Sequence, residues 1–133
     1  MTIVQDRPPA GNHAAARKAM IDSQLRTSGV NSAFVLERMA SVPREDFVPA
    51  AARGVAYTDR AIALGDGRWL AAPLVQGLML QEARPTQADK ALLVDGGSGY
   101  LAELLRPLVG TLDVIAPAEA ARPSRRKGYT LLL

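Results

Sequence analysis

Residues 90–116, KALLVDGGSGYLAELLRPLVGTLDVIA, hold the pattern that decides the fold. Ala91-Leu92-Leu93-Val94 is an almost unbroken apolar run, as a strand buried on both faces of a parallel sheet reads. Gly96-Gly97-Ser98-Gly99 follows at once, and Tyr100 to Leu108 then carries Leu101, Leu104, Leu105 and Leu108 at helical spacing. Leu112-Asp113-Val114-Ile115-Ala116 gives a second strand. Strand, glycine turn, helix, strand is a βαβ unit. In such a unit the glycines let a ligand come close to the backbone, where N–H groups at the helix start face outward. Taken alone, the turn fits a plain tight connection equally well.

Working outward, residues 1–11 read as a flexible leader. From Asn12 to Ser28 the spacing predicts a helix, with Ile21 and Leu25 four apart and Gly29 as its stop. A short second helix starts at the Asn31-Ser32 cap, turns Val35, Leu36 and Met39 inward, and ends by Pro43. Val42 to Pro49 is an extended or turning stretch between prolines. Gly65-Asp66-Gly67 predicts a loose hairpin within 57–72. Pro73 suits a helix N1 position, and Leu74, Val75, Leu78 and Met79 read as that helix's buried face, which fades near Arg84-Pro85. Tyr129 to Leu133 reads as a third buried strand. Only the 12 residues 117–128 separate it from the second. A parallel crossover with a helix needs about 10–12, and Pro117 and Pro123 leave little room. The expectation is that residues are missing around 117–128 and after 133.

The chain has 133 residues, 48% hydrophobic and 22% charged, the balance of one globular domain or a piece of one rather than a disordered segment. No apolar run approaches the roughly 20 residues of a membrane helix, so a cytoplasmic protein is expected. Without cysteine there is neither a disulfide nor a thiolate metal site. No carboxylate cluster has metal-ligand spacing, and the sole histidine, His13, sits near the leader, so neither a metal site nor a catalytic histidine is expected. The net charge of +3 resides in Arg122, Arg125, Arg126 and Lys127 against Glu119, and the rest of the chain is balanced. A basic tail of that size reads as a solvated loop, with nucleic-acid binding through 122–127 a minor alternative. Oligomeric state is not legible.

Several segments, in order, resemble the protein-L-isoaspartate O-methyltransferase family. RKAMIDSQL at 17–25 looks like its N-terminal helix. VLERMASVPREDFVP at 35–49 is similar to its V-L-x-A-M-x-x-V-P-R-E-x-F-V-P segment, the most specific of the matches. Ala56-Tyr57-Thr58-Asp59 is similar to its A-Y-x-D. KALLVDGGSGY at 90–100 resembles its first cofactor motif, and YTLLL at 129–133 resembles the start of a later strand.

The resemblance implies an α/β fold of the Rossmann-like class I methyltransferase kind, a mostly parallel sheet with helices on both faces. An N-terminal helical and hairpin subdomain would occupy 12–87 and a partial cofactor-binding domain 88–133, with the C-terminal part missing. It implies S-adenosylmethionine as cofactor, bound by Asp95, Gly96, Gly97, Ser98, Gly99 and Tyr100. It also implies methyl transfer to an isoaspartyl carboxylate in protein repair, so the partner is an isoaspartyl peptide or protein. Tyr57, Asp59 and Pro73 fall on the substrate side, although Tyr packing and Asp turn-capping fit those residues too. Arg44 and Glu45 read equally well as a surface ion pair.

This chain departs from the family pattern where its chemistry is expected. The substrate segment Q-T-I-S-Q-P-Y aligns with Arg68-Trp69-Leu70-Ala71-Ala72-Pro73-Leu74, keeping only the proline. Ala71 replaces the family Ser or Thr, so no catalytic residue is assigned, and Ala72 replaces an amide. Leu93 takes an acidic position, Asp95 a glycine, and Ala116 the acid that binds ribose hydroxyls, for which Glu119 substitutes only with a rearranged turn. The alternative function is therefore a degenerate member acting as a binding or interaction protein.

Overall fold

The computed structural model describes residues 12–121 and 127–133. The leader and the basic residues Arg122, Arg125 and Arg126 lie outside them. Helix α1 (Asn12–Ala19) continues into a widened turn at Met20–Leu25 and a tight turn at Arg26–Ser28, rather than the regular helix expected. The widened winding stacks residues five apart, and Met20, Ile21 and Leu25 are all buried. Gly29 stops the run at φ 99°, a left-handed conformation that suits glycine. Helix α2 (Ala33–Ser41) buries Val35, Leu36 and Met39, as their spacing predicts. Two tight turns follow, Arg44–Phe47 and Ala50–Val55.

Strands β1 (Ile62–Gly65) and β2 (Arg68–Leu70) form the expected hairpin, with Ile62 opposite Leu70 and Gly65 opposite Arg68. A bulge between Ala63 and Gly65 tightens its end. Helix α3 (Pro73–Ala83) starts on Pro73, but its buried face is not the one read from the sequence. Pro73, Gln76, Gly77 and Leu80 are inside, while Val75, Leu78 and Met79 are exposed. The missing side chain of Gly77 lets Val30 approach, since a Cβ there would lie 3.2 Å from Val30 Cγ2. Gln76 is drawn inward by Arg44. Val75, Leu78 and Met79, with Leu132 and Leu133, line an open groove of about 670 Å³ instead.

Strand β3 (Lys90–Val94) is the middle of a parallel sheet of order β4-β3-β5. Ala91, Leu92 and Leu93 are at most 1% exposed, the profile of a central strand. Helix α4 (Tyr100–Leu105) and a tight turn at Arg106–Leu108 lead to β4 (Thr111–Ile115), which pairs Lys90 with Thr111 through Val94 with Ile115. Burying Leu104 and Leu105 completely contributes about 1.5–3 kcal/mol each. After α5 (Pro117–Ala120) the described chain resumes at Lys127, and β5 (Leu131–Leu132) lies on the other side of β3. β4 and β5 are open edges: Val114 is 42% and Leu132 55% exposed, so β5 is not the buried strand expected. Its backbone pairing with β3 nonetheless runs from the Thr130 N–H on Lys90 O at 2.9 Å to the Leu133 N–H on Leu92 O at 3.0 Å, and Thr130 Oγ1 also accepts the Lys90 N–H and donates to Asp89.

The chain thus leaves β3 toward one side and returns on the other. That reversal is a topological switch point, where open α/β sheets place ligands beyond the carboxyl ends of their strands. The glycine loop 95–99 follows β3 at this point.

Candidate functional site

The loop's shape comes from its own side chains. Asp95 Oδ2 accepts the N–H groups of Gly97 at 2.9 Å and Gly99 at 3.3 Å, and Ser98 Oγ accepts the Tyr100 N–H at 3.1 Å. Gly97 and Gly99 take φ of 105° and 80°, a region that side-chain-bearing residues avoid. Asp95, which stands where the family pattern has a glycine, ties the loop together by satisfying two of its donors.

The hairpin lies against this loop. A Cβ at Gly97 would stand 2.5 Å from Arg68 Nη1, and one at Gly96 would stand 3.2 Å from the Trp69 carbonyl. Arg68 Nη1 donates to Gly97 O at 3.5 Å. The close approach that these glycines permit is therefore made, in part, by β2.

Behind the loop sits Tyr100, fully buried, with Phe47 edge-on at 5.6 Å and the Arg44 guanidinium carbon 4.9 Å from its ring centre. Arg44 is not a surface residue. It is 0% exposed, and its side chain donates to Ala56 O at 2.6 Å, Gln76 Oε1 at 2.7 Å and Ala71 O at 2.7 Å. A buried cation is tolerable only when its donors are matched; here three oxygens and an aromatic face share the charge. Burial pushes the Arg44 pKa down and the Tyr100 pKa up. Three chain segments, at 44–47, 71–76 and 95–100, are thereby held in one cluster.

Glu45 faces away from Arg44 into a second cluster. The Tyr57 hydroxyl donates to Glu45 and accepts from Arg17 Nε at 2.8 Å and from the Arg44 N–H at 2.9 Å. Arg17 Nη2 also reaches Glu45 at 3.2 Å. Burial, reinforced by the Glu45 bond, pushes Tyr57 up to about 12. Burial opposes ionisation of Glu45 as well, yet its bonds from Tyr57 and Arg17 hold its pKa below the usual value. His13 Nδ1 lies 3.9 Å from Glu45. Among the described residues no group of three or more His, Cys, Asp or Glu is placed to hold a metal ion.

The residues expected on the substrate side are not gathered into one site. Tyr57 has one donor and two lone pairs, all engaged within the protein. Asp59 is exposed in the bend before β1. Pro73 is buried at the start of α3, next to the half-buried Ala71 and Ala72. Ala116 follows β4 at the start of α5 with no side-chain acceptor, and Glu119 lies in the single turn of α5. The sequence reading aligned Arg68 and Trp69 with the family's substrate segment without giving either a role, and read Arg44 as fitting a surface ion pair. The signal for Arg44 was a cation set among Val42, Phe47 and Val48 between two prolines; for Arg68 it was the place in that alignment alone.

A model of the family described as protein-L-isoaspartate(D-aspartate) O-methyltransferase matches residues 15–122. The protein-L-isoaspartate O-methyltransferase of Aeropyrum pernix is 48% identical over 101 residues, 75% of this chain and 38% of that protein. That of Koribacter versatilis is 38% identical over 128 residues, 92% and 58% respectively. The chain thus spans roughly half the length of these curated relatives. Among solved structures, a putative protein-L-isoaspartate O-methyltransferase from Plasmodium falciparum, in complex with S-adenosyl-L-homocysteine, superposes with a TM-score of 0.57. It is 20% identical and covers 71% of this chain and 41% of that one. A second structure of that name has a TM-score of 0.59 and 22% identity, covering 88% and 40%. The fold is therefore Rossmann-like, of the kind these methyltransferases share.

Proposed function

We propose what this chain does from one premise: it belongs to the protein-L-isoaspartate O-methyltransferase family. In our reading it carries the S-adenosylmethionine loop and the acceptor-facing hairpin of a carboxyl methyltransferase that acts on isoaspartyl residues in protein repair. The observation that carries this is the glycine loop at the β3 switch point, already shaped by Asp95. The residues fit the cofactor in part. Gly96 and Gly97 keep an exposed backbone, and the loop from Asp95 to Tyr100 would hold the group. The ribose side is poorer, since Ala116 offers no acceptor and Glu119 is the acid that follows.

S-adenosylmethionine supplies a methyl group on a positively charged sulfur, which a carboxylate oxygen accepts with no proton transfer. The protein's work is then alignment. Arg44 fixes the Ala71 carbonyl, the hairpin end and Tyr100 relative to one another, and Tyr57 fixes the turn that holds Arg44. Both are positioning residues in this reading, and the division of labour falls near residue 88. A cytoplasmic setting and an isoaspartyl protein partner belong to the same proposal.

A second reading, binding without turnover, draws on Ala71 and Ala72, which leave the hairpin end without the hydroxyl and amide of the family pattern. One experiment separates the two. Incubation with methyl-labelled S-adenosylmethionine and an isoaspartyl peptide should give a base-labile methyl ester. Cofactor binding with no ester formed would favour the second reading and defeat the first.

A further inference from the structure

We propose that Arg68 is the carboxylate-binding side chain of the glycine-loop cleft. The inference deepens the function proposed above and rests on it for the identity of the ligands. Between Arg68 and Pro73 only Arg68 and Trp69 carry side-chain donors, because Ala71 and Ala72 have none. Arg68 stands over Gly97 with Nη1 3.5 Å from its carbonyl, a contact that uses one of five N–H donors at the long limit of a hydrogen bond. It is exposed and makes no ion pair with a described carboxylate. Asp95, the acid of the loop, has its Oδ2 engaged by the Gly97 and Gly99 N–H groups.

The backbone that carries Arg68 is held in place. Arg68 lies in β2, paired opposite Gly65, two residues before the buried Leu70 and three before Ala71, whose carbonyl Arg44 grips. Its planar fork matches a carboxylate with two parallel N–H bonds, a geometry that a lysine cannot reproduce. Two carboxylates belong to such a cleft: that of an isoaspartyl acceptor and that of the amino-acid end of the cofactor. The shared chemistry is a planar anion presented at Gly97.

Trp69, the only tryptophan, is 59% exposed beside Arg68 with its carbonyl against Gly96, so its fluorescence reports on this spot without turnover. The native chain, Arg68→Gln and Arg68→Lys are titrated with four probes. These are an isoaspartyl peptide, its carboxamide counterpart, S-adenosylhomocysteine, and methylthioadenosine, which lacks the amino-acid carboxylate. At least one carboxylate probe should bind the native chain about tenfold or more tightly than its uncharged counterpart, as expected of charge-assisted bonds. Arg68→Gln should erase that preference and Arg68→Lys restore part of it. A preference in the peptide pair assigns Arg68 to the acceptor, and one in the nucleoside pair assigns it to the cofactor. Preferences unchanged in Arg68→Gln, or no carboxylate response in the folded native chain at millimolar probe, would overturn the proposal. Absence of methyl transfer alongside an Arg68-dependent preference would defeat only the function proposed above.

Discussion

Arg44 donates from Nη1 to Gln76 Oε1 at 2.7 Å, and these two are the buried polar side chains of the described core, 0% and 4% exposed. The bond explains why α3 turns a glutamine inward while Val75 and Leu78 face out. Satisfying a buried guanidinium outweighs burying two aliphatic side chains, because an unmatched buried donor loses its hydration outright. The turn before α3 is set by that choice, and so is the position of Ala71.

Replacing Arg44 with Met should therefore cost at least about 3 kcal/mol. It strands the Ala56 and Ala71 carbonyls and the Gln76 amide at about 1–3 kcal/mol each. Urea unfolding followed by circular dichroism measures it, and Arg44→Lys should recover little because an ammonium lacks the fork. A midpoint within experimental error of the native chain's would show the cluster to be incidental.

The Tyr57–Glu45 pair should give stability two pH limbs. Glu45 is lowered in the folded chain, so it favours the fold above the unfolded carboxylate pKa, and this support fades as pH falls through the lowered value. Tyr57 is raised from 10.0 to about 12, so it favours the fold below pH 10 and the support is lost between about 10 and 12. The urea midpoint against pH should fall at both ends, and Tyr57→Phe should lessen the alkaline fall, leaving the share of the buried Tyr100, whose pKa is also raised.

Ala71→Ser puts a hydroxyl back at a position whose backbone Arg44 already holds. Methyl transfer to an isoaspartyl peptide should rise tenfold or more in kcat/KM, since removing one such donor from a built site costs about 10²–10³ in kcat. No change would mean that residues 68–74 are wrongly aligned with the family's substrate segment.

At Gly97 any side chain meets both a left-handed backbone and Arg68. Gly97→Ala should cost about 1–2 kcal/mol for the conformation alone and displace the guanidinium, since its Cβ would lie 2.5 Å from Nη1. A shift in Trp69 emission together with a lowered urea midpoint is the expected result.

The elements could be read from residues 90–116 because a buried parallel strand, a glycine turn and a leucine-spaced helix each leave a local pattern. The α2 face followed from spacing for the same reason. The α3 face did not, because long-range partners decide it: Arg44 lies 32 positions from Gln76, and Val30 packs over Gly77. Asp95 reads from residue type only as a departure from a family glycine, whereas its rotamer makes it the loop's acceptor. The contact of Arg68 with the loop was not legible for a related reason: only the hairpin register and the gap at Gly97 bring it there.

Calorimetric titration of the folded chain with S-adenosylhomocysteine tests the central claim most directly, that the Asp95–Tyr100 loop holds this cofactor. Saturable binding at one site, weakened by Gly97→Ala, is the expected result. No heat of binding at millimolar ligand, with circular dichroism showing the chain folded, would contradict it.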